Sequence, residues 1–385
     1  MAINLDEINT LSVKKIMPGV VDNFFKNDPL LAFLKKNRYK VWTGGPQIQE
    51  NFLFRPHKGG SYRKGGQFDI TKLQTATGLL FEPKFYYVNV TEYTEDIEVI
   101  VRGPEAVMSL VQKDLAGAAL TMSGILACAL YRHGQGATGN QSQANLGFNA
   151  NFTEDRSAEL NGLEEALCDG VNNTYSGQTF PSYGTQSRTD VFPALTAPGS
   201  QTGALITANI ASTSTTAGIS FRVLEHSYQS CVIGDEHPVI GITTNRAMGF
   251  INENFQPQQR IDTVEPTIGF PGLKFKQATI VESQYCPGQD VTSADQTLGA
   301  FPLASSNLGL STATYGETFW WLNPGKEGDD AYINLYFSAS PKYQFGFTGF
   351  KVAQDSTQVA GQILFGGNTT VRAIRLMRGL FGIRN

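Results

Sequence analysis

The stretch GPEAVMSLVQKDLAGAALTMSGILACALYRHG, residues 103–134, decides how the chain is read. It is the longest uninterrupted helical pattern in the sequence. Val107, Val111, Leu115, Ala118, Met122, Ile125 and Ala129 recur at three- and four-residue steps and share one face. Gly103 can cap the start and Pro104 suits the first helical position. Arg132 and His133 fall in the last turn, and Gly134 can take the left-handed residue beyond it. At ~1.5 Å per residue such a helix is roughly 40 Å long. Gly117 and Gly124, inside it, each cost ~1 kcal/mol against alanine. They lie on nearly the same side, near Cys128 and opposite the main apolar face. This predicts a spine buried on two sides, with a second, shallow contact surface at the two glycines.

A chain of 385 residues that is 41% hydrophobic can bury a sizeable core. Its charged fraction of 17% is well below the ~25% usual for soluble proteins, while 25 phenylalanines and 40 glycines are many. Few charges with many aromatics predict surfaces covered by other copies of the chain. A net charge of −4 gives no global nucleic-acid signature. Cys128, Cys168, Cys231 and Cys286 are widely spaced, which predicts reduced thiols and no disulfide framework. The N-terminus MAINLDEINTLSVKK has no apolar leader core. The apolar run Ala116–Leu130 is too short to predict a membrane span. The Asn-x-Ser/Thr triplets at Asn89 and Asn368 read as chance.

Outward from the spine, residues 1–45 read as an arm, with a short helix near Asp28–Lys36. Gln47–Phe54 alternates in part. It leads into RPHKGGSYRKGGQFD, which carries Arg55, Lys58, Arg63 and Lys64. Phe81–Val101 has strand composition, with Tyr86, Val88 and Val90 on one face and Asn89 and Thr91 on the other. The whole is a long hairpin with a basic tip that cannot bury itself and is either disordered or packed on another subunit. The acids Glu92, Glu95, Asp96 and Glu98 could complement the tip of a neighbour, or both groups could be ordinary solvated patches.

Past a Gly/Asn/Gln-rich linker, a short helix is expected about Leu160–Cys168. Further helices are expected at Ile219–Cys231 and Asn245–Phe255, and strands at Pro238–Thr243 and within Gly272–Val281. This is a compact α/β region. Glu317–Leu322, Tyr332–Phe337 and Gly346–Val352 read as aromatic strands. The tail reads as two strands turning about Gly366-Gly367-Asn368. Arg372, Arg375, Arg378 and Arg384 there either pair with acids of their own domain or face nucleic acid.

No motif carries chemistry. Gly134–Gly139 fits GxGxxG but follows a helix instead of a strand, and GGSYRKGG lacks the Gly-Lys-Ser/Thr ending of a phosphate loop. His57, His133, His226 and His237 are isolated, so no metal site is expected. Asp169 and the pair Glu164-Glu165 read as solvated helix-end charges, and Trp320-Trp321 as core and interface. No catalytic residue and no cofactor is assigned.

The order of arm, hairpin, strand, spine helix, α/β region and final strands resembles the major capsid proteins of tailed double-stranded DNA phages. The blocks that carry the resemblance are FEPKFYYVNVTEYTEDIEVIVRGPEAVMSLVQKDLAGAALTMSGILACALYRHG, LNGLEEALCDGVNNTYSG with SRTDVFPAL, and ITTNRAMGFINENFQPQQRID with GFPGLKFKQATIVES.

The resemblance implies an α+β tailed-phage capsid fold with six segments. They are an N-terminal arm (1–45), an E-loop hairpin (46–84), a P-domain strand and spine helix (85–150), an A-domain (151–334), P-domain strands (335–360) and C-terminal strands (361–385). It implies a non-enzymatic subunit forming pentamers and hexamers of an icosahedral head around double-stranded DNA. Such a subunit sits in the virion after assembly in the bacterial host cytoplasm. Its partners are further copies of itself, a separate scaffolding protein, a portal and in some cases a decoration protein. Gly117 and Gly124 would then mark where the P-domain strands cross the spine. The alternatives are a cargo-enclosing bacterial nanocompartment of the same fold and a soluble α/β enzyme.

Overall fold

The computed structural model describes residues 28–37, 39–95, 110–132, 134, 158–168, 170, 180–188, 191, 219–255, 261–262, 272–288, 317–326, 331–352 and 357–383. Asp96, Glu98, His133, Asp169 and Arg384 lie outside them.

The described elements are helix α1 (Pro29–Asn37), strands β1 (Tyr39–Trp42), β2 (Ile48–Leu53), β3 (Ala76–Phe81) and β4 (Lys84–Tyr93), and the spine helix α2 (Leu110–Leu130). A single turn, α3 (Leu163–Ala166), and a small hairpin, β5 (Ser182–Tyr183) with β6 (Gln186–Ser187), follow. Then come α4 (Phe221–Ser230), β7 (Ile240–Thr243), α5 (Asn245–Phe255), β8 (Ile261–Asp262), β9 (Gly272–Phe275), β10 (Ala278–Glu282) and β11 (Glu317–Leu322). The chain closes with β12 (Ile333–Ser338), β13 (Gln344–Phe347), β14 (Lys351–Val352), β15 (Gln358–Val371) and β16 (Arg378–Ile383).

Two sheets carry the architecture. In the first, the long β15 is central. On one flank it pairs antiparallel with β4, and on the other with β12, β13 and β14, which follow one another along it. β1 adds parallel to β12. Tyr86, Val88 and Val90 share a face with Phe365, Ile363 and Gly361 through the β4–β15 register. That face packs with α2 in one core.

The second sheet runs β16-β11-β7-β10-β9-β8. Every residue of β7 and β11 is buried, as strands covered on both faces must be. The two-residue alternation divides β11 cleanly. Phe319 and Trp321 join α4 and α5 in one core, while Trp320 and Leu322 face the core that holds the spine. Trp320 lies 6.4 Å from the Tyr131 ring and 5.1 Å from Phe381.

Several expectations change. The Gly366-Gly367-Asn368 run is not a turn, because β15 passes straight through it. The glycines are there for room: a Cβ at Gly367 would overlap the carbonyl oxygen of Tyr336 on the neighbouring strand. Asn368 donates to the Asn161 side chain at 2.7 Å and to the Glu82 carbonyl at 2.7 Å. Gly134 is also fixed by space, since a Cβ there would overlap the Glu159 carbonyl oxygen. Among the described residues no close crossing is seen at Gly117, where a Cβ would meet none of their atoms beyond its own helix backbone within 4 Å. Gly124 and Cys128 are buried, so only the C-terminal half of the spine is covered on its second side. By length and composition Lys113–Leu130 could cross a bilayer, but Met122, Leu126, Ala127, Ala129 and Leu130 belong to the core.

Glu164 and Glu165 are buried rather than solvated. The Glu165 carboxylate accepts from Asn161 Nδ2 at 2.9 Å and from the Gly134 N–H at 3.3 Å. Replacing Gly367 with alanine is expected to destabilise the subunit by about 3 kcal/mol or more, through overlap with backbone. Gly117→Ala is expected to leave it unchanged or to stabilise it by up to ~1 kcal/mol. Chemical denaturation of the unassembled subunit checks both; equal effects would remove the distinction.

Candidate assembly surfaces

The β2–β3 ribbon has a buried base and a bare end. In β2, Ile48 and Glu50 point inward; opposite them in register are Phe81 and Leu79 of β3. The Phe81 ring meets Tyr183 edge-on at 5.1 Å, and the Leu80 N–H donates to the Gly184 carbonyl at 2.9 Å. The carboxylate of Glu50 accepts from the Tyr336 hydroxyl at 2.7 Å, Asn334 Nδ2 at 3.1 Å and the Thr370 hydroxyl at 3.3 Å. It also ion-pairs with Arg372 at 3.6 Å and Lys40 at 3.9 Å. β1, β12 and β15 thus each contribute to holding the root of the ribbon.

Beyond Phe54, whose N–H reaches the Thr75 carbonyl at 3.0 Å, every residue from 55 to 72 is exposed. The tip nevertheless has internal order. Lys58 Nζ bonds Asp69 at 2.5 Å and the Thr71 hydroxyl at 2.7 Å, closing the loop near its neck. That ammonium, with the Thr71 bonds, holds the Asp69 carboxyl below the ordinary carboxylate range. Tyr62 and Phe68 stack edge-on at 4.8 Å. A tight turn joins the Gly66 N–H to the Arg63 carbonyl at 2.7 Å and places Arg63 and Lys64 at the end. Apolar side chains are left in water: Ile70 is 93% exposed and Leu53 77%.

A second uncovered surface is the outer face of β4. Phe85, Tyr87 and Tyr93 project away from the spine, Phe85 being 56% exposed. The Phe85 ring meets Tyr343 edge-on at 5.6 Å, and Leu364 lies opposite Tyr87. Glu82 and Glu95 are exposed at the two ends of this strand.

No protein-family model and no curated protein matches the sequence. Solved structures do match over nearly the whole chain. The capsid asymmetric unit of cyanophage A-1(L) superposes with a TM-score of 0.60 at 12% identity, covering 97% of each chain. The capsid of a native GTA particle gives 0.52 at 8% identity, covering 97% of this chain and 94% of that one. The holo-SrpI encapsulin complex from Synechococcus elongatus gives 0.53 at 8% identity, covering 100% and 96%.

The chain has the tailed-phage capsid fold. The ribbon lies in the segment expected as the E-loop, α2 and nearly all of β4 in the expected P-domain, and β7–β11 with α4 and α5 in the expected A-domain.

Within this fold the residues singled out from sequence separate. Arg55, Arg63 and Lys64 share the exposed tip, whereas Lys58 is used inside its own loop. Arg55 also lies over the Phe54 ring at 4.7 Å. Glu92 is half-buried on the spine-facing side of β4, and Glu95 is exposed past the end of the strand, so the two do not form one patch. Gly117 makes no close crossing with the described residues. The described C-terminal arginines, Arg372, Arg375 and Arg378, are turned inward. Arg372 pairs with Glu50, Arg375 donates to the Ser230 carbonyl at 2.9 Å, and Arg378 donates to the Ser230 hydroxyl at 2.8 Å. Burial pushes the Arg378 guanidinium down to about 10. Among the described residues no group of His, Cys, Asp and Glu has the geometry to hold a metal ion. The four free cysteines are buried, and burial raises the Cys231 and Cys286 thiols.

Sequence reasoning passed over Glu50. The signal was present, because alternation from Ile48 puts an acid in an inward register. It also passed over the apolar side chains of the tip, hidden among its glycines and basic residues. Glu50→Ala is expected to cost roughly 3–5 kcal/mol, as breaking a buried charge cluster does. Hydrogen exchange should accelerate first at β2 and β3 and leave the A-domain sheet protected. Uniform acceleration, or none, would show that Glu50 does not anchor the ribbon.

Proposed function

We propose that this chain is a shell subunit. Copies assemble into pentamers and hexamers of an icosahedral phage head that encloses double-stranded DNA. The observation that carries this reading is the E-loop. Its base is held by the first sheet, while Leu53 at the end of β2 and Tyr62, Phe68 and Ile70 of the tip are exposed to water. A monomer gains nothing from such a projection, whereas a neighbour that covers it gains about 25 cal/mol per Å² of apolar surface.

The proposed contact sets the tip of one subunit on the outer β4 face of the next. Leu53, Tyr62 and Ile70 meet Phe85, Tyr87 and Tyr93, and Arg63 and Lys64 approach Glu82 and Glu95. The two surfaces differ, so the contact is head-to-tail and generates rings. A scaffolding protein, a portal and a decoration protein are further partners of this reading. A second reading, a nanocompartment shell around protein cargo, is favoured by the encapsulin that matches along the whole chain.

Reversing Arg63 and Lys64 to glutamate is expected to abolish shells seen by electron microscopy while leaving the subunit's melting temperature unchanged. Adding Glu82→Lys with Glu95→Lys is expected to restore them. Shells that form normally with the tip reversed would overturn the contact. The nucleic-acid content of native particles separates the two readings: packaged double-stranded DNA supports the phage head, and enclosed protein without it supports the nanocompartment.

A further inference from the structure

We propose that Lys58, Asp69 and Thr71 are positioning residues: their side chains clasp the neck of the ribbon tip and hold Ile70 out as the anchor that a neighbouring copy buries. This rests on the head-to-tail contact proposed above and assigns its parts. Inside the clasp lies GGSYRKGGQF, residues 59–68, with glycine at 59, 60, 65 and 66. A segment of that composition loses much backbone freedom on becoming ordered. Every residue from 55 to 72 is exposed, and a Cβ at Gly59, Gly60 or Gly65 would meet nothing within 4 Å. The order of the tip therefore comes from bonds within it.

The clasp is a closed triangle of side chains. Lys58 Nζ donates to Asp69 Oδ2 at 2.5 Å and to the Thr71 hydroxyl at 2.7 Å. That hydroxyl donates in turn to Asp69 Oδ1, which also accepts from the Thr71 N–H at 3.0 Å. Two things follow. Residues 58 and 69 are held together, so the entropy of closing the loop is lost before docking and not during it. By accepting from the amide two residues on, Asp69 also forms a turn whose central residue is Ile70.

That turn ties down the backbone on both sides of Ile70 and leaves its side chain 93% exposed, more than any other large apolar side chain among the described residues. Ile70 is β-branched and has few rotamers to lose, so a partner that covers it gains its burial at small entropic cost. The Lys58 and Asp69 side chains are themselves 38% and 58% exposed. Ion pairs in water are weak, so the clasp sets the strength of the contact and adds little to the stability of the subunit.

The test uses the full-length subunit. Tryptic cleavage after Arg63 and Lys64 is timed below the concentration at which shells form, and that threshold is found by light scattering and electron microscopy. Asp69→Ala is expected to speed cleavage about two- to fivefold, the range for opening an exposed ion pair, and to raise the threshold by a similar factor. Lys58→Arg, which keeps a cation in the clasp, is expected to match the wild type in both. Ile70→Asp is expected to leave cleavage unchanged and to raise the threshold at least ~tenfold, because it removes only the apolar burial. All three are expected to melt at the wild-type temperature. Cleavage or assembly unchanged in Asp69→Ala, or a wild-type threshold in Ile70→Asp, would overturn the assignment and leave the shell reading standing. A wild type that forms no shells in any condition would overturn that reading, and the contact with it.

Discussion

A buried carboxylate must be answered by donors, and Glu50 is answered from β1, β12 and β15 together. Such a cluster contributes little against a well-packed apolar alternative, because desolvation offsets the attraction. What it supplies here is position. Ile48, Leu79 and Phe81 would hold the ribbon to the core at many angles; five polar partners around one carboxylate hold it at one. The same strands run on to the spine, and the spine ends at Tyr131 against Trp320 of the A-domain sheet. A change of angle at the ribbon root is thus passed to rigid elements on both sides.

Much of this fold was legible in the sequence. Asn245–Phe255 and Glu317–Leu322 were bounded as found, because hydrophobic period and burial coincide there. The Trp320-Trp321 pair reads as core for the same reason, one ring on each face of a sheet buried on both sides. What local pattern cannot report is the identity of a neighbour. Gly366-Gly367-Asn368 has the composition of a turn, yet what demands glycine is the carbonyl of Tyr336, about thirty positions away in sequence. Glu164-Glu165 has the composition of a solvated helix end. It is buried because Asn161, on the preceding turn, and the Gly134 amide reach Glu165. Gly117 was read as a contact, yet no described residue crosses it closely, since helix spacing gives the side of a residue but not what lies there.

The assembly surfaces were the least legible part, for a related reason. A tip rich in Gly, Lys and Arg looks like a solvated loop, and its charge suggests an electrostatic contact. The structure shows why charge alone is an incomplete description. Lys58 is consumed within the loop, and the ring pair Tyr62–Phe68 packs edge-on while each ring stays 66% exposed. The preformed turn, ring pair and neck bond lower the ordering entropy a floppy loop would lose on docking. Apolar side chains held out on an ordered scaffold are a liability for a monomer and an asset only where a partner is always near.

The two uncovered surfaces also constrain the kind of assembly. If the tip matched itself, two subunits would cover each other's tips and growth would stop at a dimer. The tip is basic and narrow, while the β4 face is broad, aromatic and bounded by Glu82 and Glu95. In the proposed contact, unlike surfaces on one chain leave each new subunit with one surface still open, and growth stops only where rotation closes a ring. On the head-to-tail contact proposed above, the number of subunits in a ring depends on the angle between the ribbon and the first sheet. On that proposal Glu50 and its partners, at the root of the ribbon, set the angle.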